Sequence, residues 1–82
     1  MAKTVKERKP IWEIDVRGSS NIVRALFNVR TSKLMVQFKG GGRYVYSDVD
    51  VETIVDLTLA DSVGSFFARN IKDIHEFKRL DD

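Results

Sequence analysis

The chain has 82 residues, 43% of them hydrophobic, a net charge of +2 and no cysteine. That length excludes a second domain and allows one small core with a thin stability margin, while the lack of thiols excludes disulfides and a thiolate metal site. The first ten residues are charged and lack an apolar leader core, and no apolar run reaches membrane-spanning length, so a soluble, unprocessed, cytoplasmic protein is expected.

Residues 1–10 read as a basic arm that ends at the only proline. From Ile11 to Val16 the residues alternate, with Trp12, Ile14 and Val16 on one side and Glu13 and Asp15 on the other, the pattern of a half-buried strand. Turn formers follow from Arg17 to Asn21. Ile22–Val29 is a second strand, rich in β-branched and aromatic residues but of poor parity, so it is either covered on both faces or bulged.

A short turn leads to a third strand, Lys33–Lys39, and Gly40, Gly41 and Gly42 connect it to a fourth, Arg43–Ser47. Loop length sets the direction of two tyrosines. A three-residue glycine loop pairs Phe38 with Tyr44 and Val36 with Tyr46 and sends both rings to the core, whereas a two-residue loop displays them on a basic surface. The first continues the apolar stripe of Leu34, Val36 and Phe38 and is preferred.

Asp48 or Asp50 caps the next element, a helix with a broad apolar face of Val51, Ile54, Val55, Leu57 and Thr58. Ser62 caps a second, short helix carrying Phe66 and Phe67, and Asn70 is a candidate C-cap. Ile71–Leu80 alternates loosely, as an extended or short helical return. The expected architecture is α+β: a three- or four-stranded antiparallel meander with two C-terminal helices packed on one face. Its expected core is Leu34, Val36, Phe38, Tyr44, Tyr46, Ile54, Leu57, Phe66 and Phe67.

Four segments together, Ser19-Ser20-Asn21-Ile22, Leu34-Met35-Val36-Gln37-Phe38, Gly42-Arg43-Tyr44-Val45-Tyr46-Ser47-Asp48-Val49 and Ser62-Val63-Gly64-Ser65-Phe66-Phe67, resemble the KTSC domain. That family is named from a C-terminal extension of some lysyl-tRNA synthetases and also occurs as small bacterial and phage proteins. The resemblance spans residues 19–80 and centres on Tyr44-x-Tyr46 followed by Asp48-Val49. It departs at Asp50, where the family usually has proline, and in the tail, where Asp73 and Glu76 interrupt basic and aromatic character. Residues 1–18 lie outside it, as a basic N-terminal arm with a candidate extra strand. The synthetase attachment implies RNA binding by analogy.

Charge is unevenly placed. Asn21–Ser47 carries Arg24, Arg30, Lys33, Lys39 and Arg43 and no acid, whereas Asp48–Gly64 carries Asp48, Asp50, Glu52, Asp56 and Asp61 and no base. A positive sheet beside a negative helix orients a charged partner, although helix-capping acids and solubilising bases produce the same pattern. Catalysis is disfavoured: His75 is the only histidine, with no nucleophile or paired carboxylate at a telling spacing. No metal or cofactor is expected, because the acids after Tyr46 lack a calcium-loop pattern and the glycines join strand to strand and open no helix.

The first functional expectation is a non-enzymatic RNA-binding domain whose contacts are Arg24, Arg30, Lys33, Lys39 and Arg43, extended by Arg69 and Lys72. Single-strand binding also calls for exposed rings, for which Trp12 and Phe77 are the candidates once Tyr44 and Tyr46 point inward. The second is a protein-interaction module that self-associates or binds a host or partner protein through Trp12, Ile14 and Val16. Incorporation of that strand into the chain's own sheet is its simpler alternative.

Overall fold

The computed structural model describes residues 10–80; the arm expected over residues 1–10 lies outside this range except for Pro10. Five strands form one antiparallel sheet whose spatial order is the chain order: β1 (Ile11–Ile14), β2 (Ile22–Asn28), β3 (Lys33–Phe38), β4 (Arg43–Tyr46) and β5 (Phe77–Leu80). Helices α1 (Val51–Leu59) and α2 (Val63–Phe67), followed by a π-helical turn at Ala68–Lys72, pack on one face. The α+β meander with two helices is as expected, and the strand count is corrected to five. The additional strand comes from the tail, where His75 and the Glu76 carbonyl dock on Ser47 and bring Phe77–Leu80 beside β4.

β1 belongs to the domain's own sheet, with Trp12 opposite Phe27 and Ile14 opposite Ala25. It ends at Ile14, earlier than the alternation suggested, because Asp15 turns back to accept hydrogen bonds from the Arg17 backbone and guanidinium. The ambiguous parity of β2 resolves as a bulge. Its register with β3 shifts between Ile22 and Arg24, so Ile22 faces the core, Val23 and Arg24 face solvent, and Ala25 and Phe27 return to the core.

The β3–β4 register is slipped by two residues from the expected one: Val36 lies opposite Tyr44, and Leu34 opposite Tyr46. A two-residue slip preserves parity, so both tyrosines still face the helices. The cause is local. The turn is Lys39-Gly40-Gly41, closed by the Gly41 N–H on the Phe38 carbonyl at 3.1 Å, and the left-handed position is Gly40, with φ of 68°. Gly42 is already paired, its carbonyl accepting from the Phe38 N–H at 3.2 Å.

Asp50, rather than Asp48, caps α1 by accepting from the Thr53 N–H at 2.9 Å, while Asp48 occupies the left-handed region with φ of 57°. The buried stripe of α1 is narrower than expected. Ile54 and Leu57 are buried, but Val51 and Val55 are 43% exposed, because the helix rests on the sheet along a single seam. Ser62 caps α2 through the Ser65 N–H, as expected. Asn70 does not end the helical run. The π-helical turn carries it on to Lys72, with Asn70 Nδ2 donating to the Phe66 carbonyl and Ile71 driven into the core.

Leu34, Val36, Tyr46, Ile54, Leu57 and Phe67 are buried as expected, whereas Phe38, Tyr44 and Phe66 pack at the margin. The core also takes Ile14, Ile22, Ala25, Phe27, Val49 and Ile71. Burying each large aliphatic or aromatic side chain is worth about 1.5–3 kcal/mol, so the strand and tail contributions are substantial in a domain this small. Val49 is held by its N–H donating to the Ser32 carbonyl at 2.9 Å, which ties the β2–β3 turn to the start of α1.

Candidate nucleic-acid interface

Because both helices pack on one side, no element of the described residues covers the other side of the sheet. Strand alternation places Arg24, Gln37, Arg43 and Leu80 in one cross-strand row on that side. The adjacent row reads Glu13, Leu26, Met35, Val45 and Lys78. An apolar strip therefore crosses the middle of the face, with arginines on either side of Gln37 along one flank. Lys33 lies on the same face, four residues from Gln37 along β3, a span of about 13 Å at ~3.3 Å per residue.

Within the strands of the described residues, Glu13 is the single acid on this face; its carboxylate stands 3.9 Å from the Arg24 guanidinium. Lys39 is exposed in the β3–β4 turn at the Arg24–Arg43 end of the sheet, and Arg30 is exposed in the β2–β3 turn at the Lys33 end. The structure thus brings Arg24 and Arg43 together, with Lys39 beyond them, and leaves Arg30 and Lys33 at the far end. Arg69 and Lys72 belong to the π-helical turn on the helical side and do not continue this patch. Lys78 does continue it and escaped sequence reasoning, because its direction is set only by the pairing of Val45 with Lys78.

Of the side chains considered for partner binding through the first strand, Ile14 is buried and Val16 packs against the core, while Trp12 rests edge-on against Phe27 and stays 40% exposed. Among the described residues β1 is an outermost strand, with no strand paired to its far edge.

The helical side carries a second feature, at its β5 margin. Phe38, Tyr44, Tyr46, Phe67 and Phe77 form a chain of ring contacts with centroids 5.1–5.7 Å apart, a spacing that favours tilted and edge-to-face pairs. They line an open cleft of about 390 Å³ with Asn21, Gly64 and Lys72. Arg79 lies over Tyr44, its guanidinium carbon 5.7 Å from the ring centroid. Burial pushes the Tyr46 phenol above its usual pKa, with smaller contributions from Tyr44 and Asp73.

Glycines permit this arrangement at two points. A Cβ on Gly42 would meet the Arg79 Nε at 2.9 Å, and one on Gly64 would meet Asn21 Oδ1 at 3.0 Å. Asn21 Oδ1 in turn accepts from the Ser19 hydroxyl at 3.1 Å. The segments Ser19–Ile22, Leu34–Phe38, Gly42–Val49 and Ser62–Phe67, distant in sequence, thus converge around one cleft.

The KTSC domain profile matches residues 18–77. The chain belongs to the KTSC domain family. This KTSC domain is similar to a solved KTSC domain protein from Yersinia pestis, with 25% identity and a TM-score of 0.78, over 87% of this chain and 99% of that one. Comparison with curated proteins gives no significant match. Strand β1 begins before the matched residues and is nevertheless part of the KTSC sheet here. No helix among the described residues is long and apolar enough to cross a membrane.

Proposed function

We propose that this KTSC domain is a non-enzymatic RNA-binding module that receives the nucleic-acid backbone on the open sheet face. The observation that supports this most is the row in which Arg24 and Arg43 flank Gln37, with Lys33 and Lys78 on the same helix-free surface. Arginine and lysine on a rigid sheet supply phosphate contacts whose affinity depends on salt and little on sequence. The Leu26–Met35–Val45 strip offers apolar contact without a stacking ring, which also favours backbone recognition.

The test is RNA binding by fluorescence anisotropy with tRNA, single-stranded RNA and duplex DNA. Micromolar-range binding that weakens between about 50 and 200 mM salt, and again in an Arg24→Ala, Lys39→Ala, Arg43→Ala triple variant, supports the reading. Affinity unchanged by salt and by the triple variant overturns it.

A second reading is self-association through the open edge of β1, where Ile11 and Trp12 are both exposed. It requires a concentration-dependent dimer by light scattering that is lost on deleting residues 1–17. A monomer in both forms removes it.

A further inference from the structure

The alternation of β5 that turns Lys78 outward turns Phe77 and Arg79 to the helical side, at the margin of the sheet. Phe77 is 56% exposed although it touches the rings of both Tyr44 and Tyr46. An exposed phenylalanine on an edge strand costs solubility, and packing alone does not require that much open ring surface. The open ring surface of Phe77 is an aromatic wall at the mouth of the cleft, on which a planar group can stack.

The polar groups around the wall are unevenly charged. Lys72 lines the cleft and Arg79 lies over Tyr44, whereas the acid that bears on the Tyr46 hydroxyl is Asp73, with Glu76 next to Phe77 in sequence. Lys72 is the cation among the residues that line the cleft, with Phe77, whereas Arg79 lies over Tyr44 beside Gly42, so the site suits a ligand with a planar ring against Phe77 and a negative group at Lys72. The exposed Asn21 amide adds a donor and an acceptor suited to a base edge.

We infer that this cleft binds a single nucleotide, with its base against Phe77 and its phosphate at Lys72. The nucleotide is either free or part of an RNA strand; the chemistry recognised is the same. The site is independent of phosphate binding on the opposite sheet face and stands whether or not that face binds RNA.

The test is NMR titration of the full chain, observing backbone amides and aromatic side chains, with AMP, UMP, adenosine and ribose 5-phosphate. Saturable shifts centred on Gly42, Gly64, Lys72 and Phe77 are expected, with adenosine and ribose 5-phosphate each binding more weakly than AMP. Phe77→Ala, at an exposed position, weakens AMP binding about tenfold, the effect of losing one stacking partner. Lys72→Ala abolishes the preference for AMP over adenosine. Arg24→Ala with Arg43→Ala leaves AMP binding unchanged, which separates this site from the sheet face.

A short oligoadenylate that binds more tightly than AMP assigns the site to a strand, and equal affinity assigns it to the free nucleotide; both support the inference. Absence of saturable shifts, shifts confined to the open sheet face, or ribose 5-phosphate binding as well as AMP would overturn it.

Discussion

His75 Nδ1 lies 3.0 Å from the Ser47 carbonyl oxygen, 28 residues earlier in the chain. Since a carbonyl only accepts, the ring donates from Nδ1, and the bond works with the Ser47 N–H donation to the Glu76 carbonyl at 2.9 Å. Removing the ring donor in His75→Ala should cost about 1 kcal/mol and increase amide exchange along Phe77–Leu80. His75→Asn, which returns a donor near the same position, should recover most of the loss. Equal exchange in the wild type and the alanine variant would show that the bond does not hold the strand.

Ile71 is fully buried, whereas Leu59 at the end of α1 is 76% exposed. Ile71→Ala should lose about 2–5 kcal/mol in urea unfolding, and Leu59→Ala no more than about 0.5 kcal/mol. Comparable losses in the two variants would contradict the π-helical turn as the element that seats Ile71.

The Tyr46 phenol has its pKa raised from 10.0, chiefly by burial. A raised folded-state pKa contributes stability that is fully present below pH 10 and lost as pH rises through the folded value. Thermal melts from neutral pH upward should therefore show an alkaline decline beginning near pH 10, and Tyr46→Phe should flatten it. A decline of the same depth in the variant would assign it to other groups.

At the acid end the sign reverses. Asp50 has its carboxyl held below the usual 3.8 by donation from the Thr53 side chain and then the Thr53 N–H. Asp15 is held at about 2 by hydrogen bonds from the Arg17 side chain and backbone. A lowered folded-state pKa contributes stability above the ordinary carboxylate pKa and loses it as pH falls through the folded value. Asp50→Asn keeps a capping acceptor but cannot titrate, so it should reduce the slope of stability against pH below about pH 4. An unchanged slope would remove the cap from the acid response.

Glu13 is the acid that faces the basic sheet row, 3.9 Å from Arg24. If RNA phosphates lie on this face, Glu13→Gln should raise affinity, by no more than about fivefold for an exposed charge. Weaker binding by the variant would place the phosphates elsewhere.

Much of the fold was legible because several local signals agreed. Alternation through Leu34, Val36 and Phe38, glycines, then Tyr44 and Tyr46 gave the correct facing of both tyrosines even though the register was two residues off, since parity survives an even slip. Ser62 and Asp50 were readable as caps because their acceptors lie three residues before the donor. The burial of Ile71 was not legible, and Ile71–Leu80 was readable only as an extended or short helical return, without the pairing that makes its last four residues β5. A π-helical turn breaks the helical period before Ile71, and four residues of β5 carry no turn signal of their own. The direction of the basic residues was hidden for the same reason: Arg24 depends on a bulge and Lys78 on a strand pairing that no local pattern reports.

Strand order that equals chain order also has a temporal meaning. β1 to β4 find their partners across short connections, which close quickly and at small entropic cost. β5 must wait until about thirty residues, including both helices, have been placed before it meets β4. Phe77 and Arg79 arrive with it. Because Phe77 and Arg79 sit on a terminal strand held by β4 alone, local opening of β5 should take the aromatic cleft apart before the rest of the sheet is disturbed.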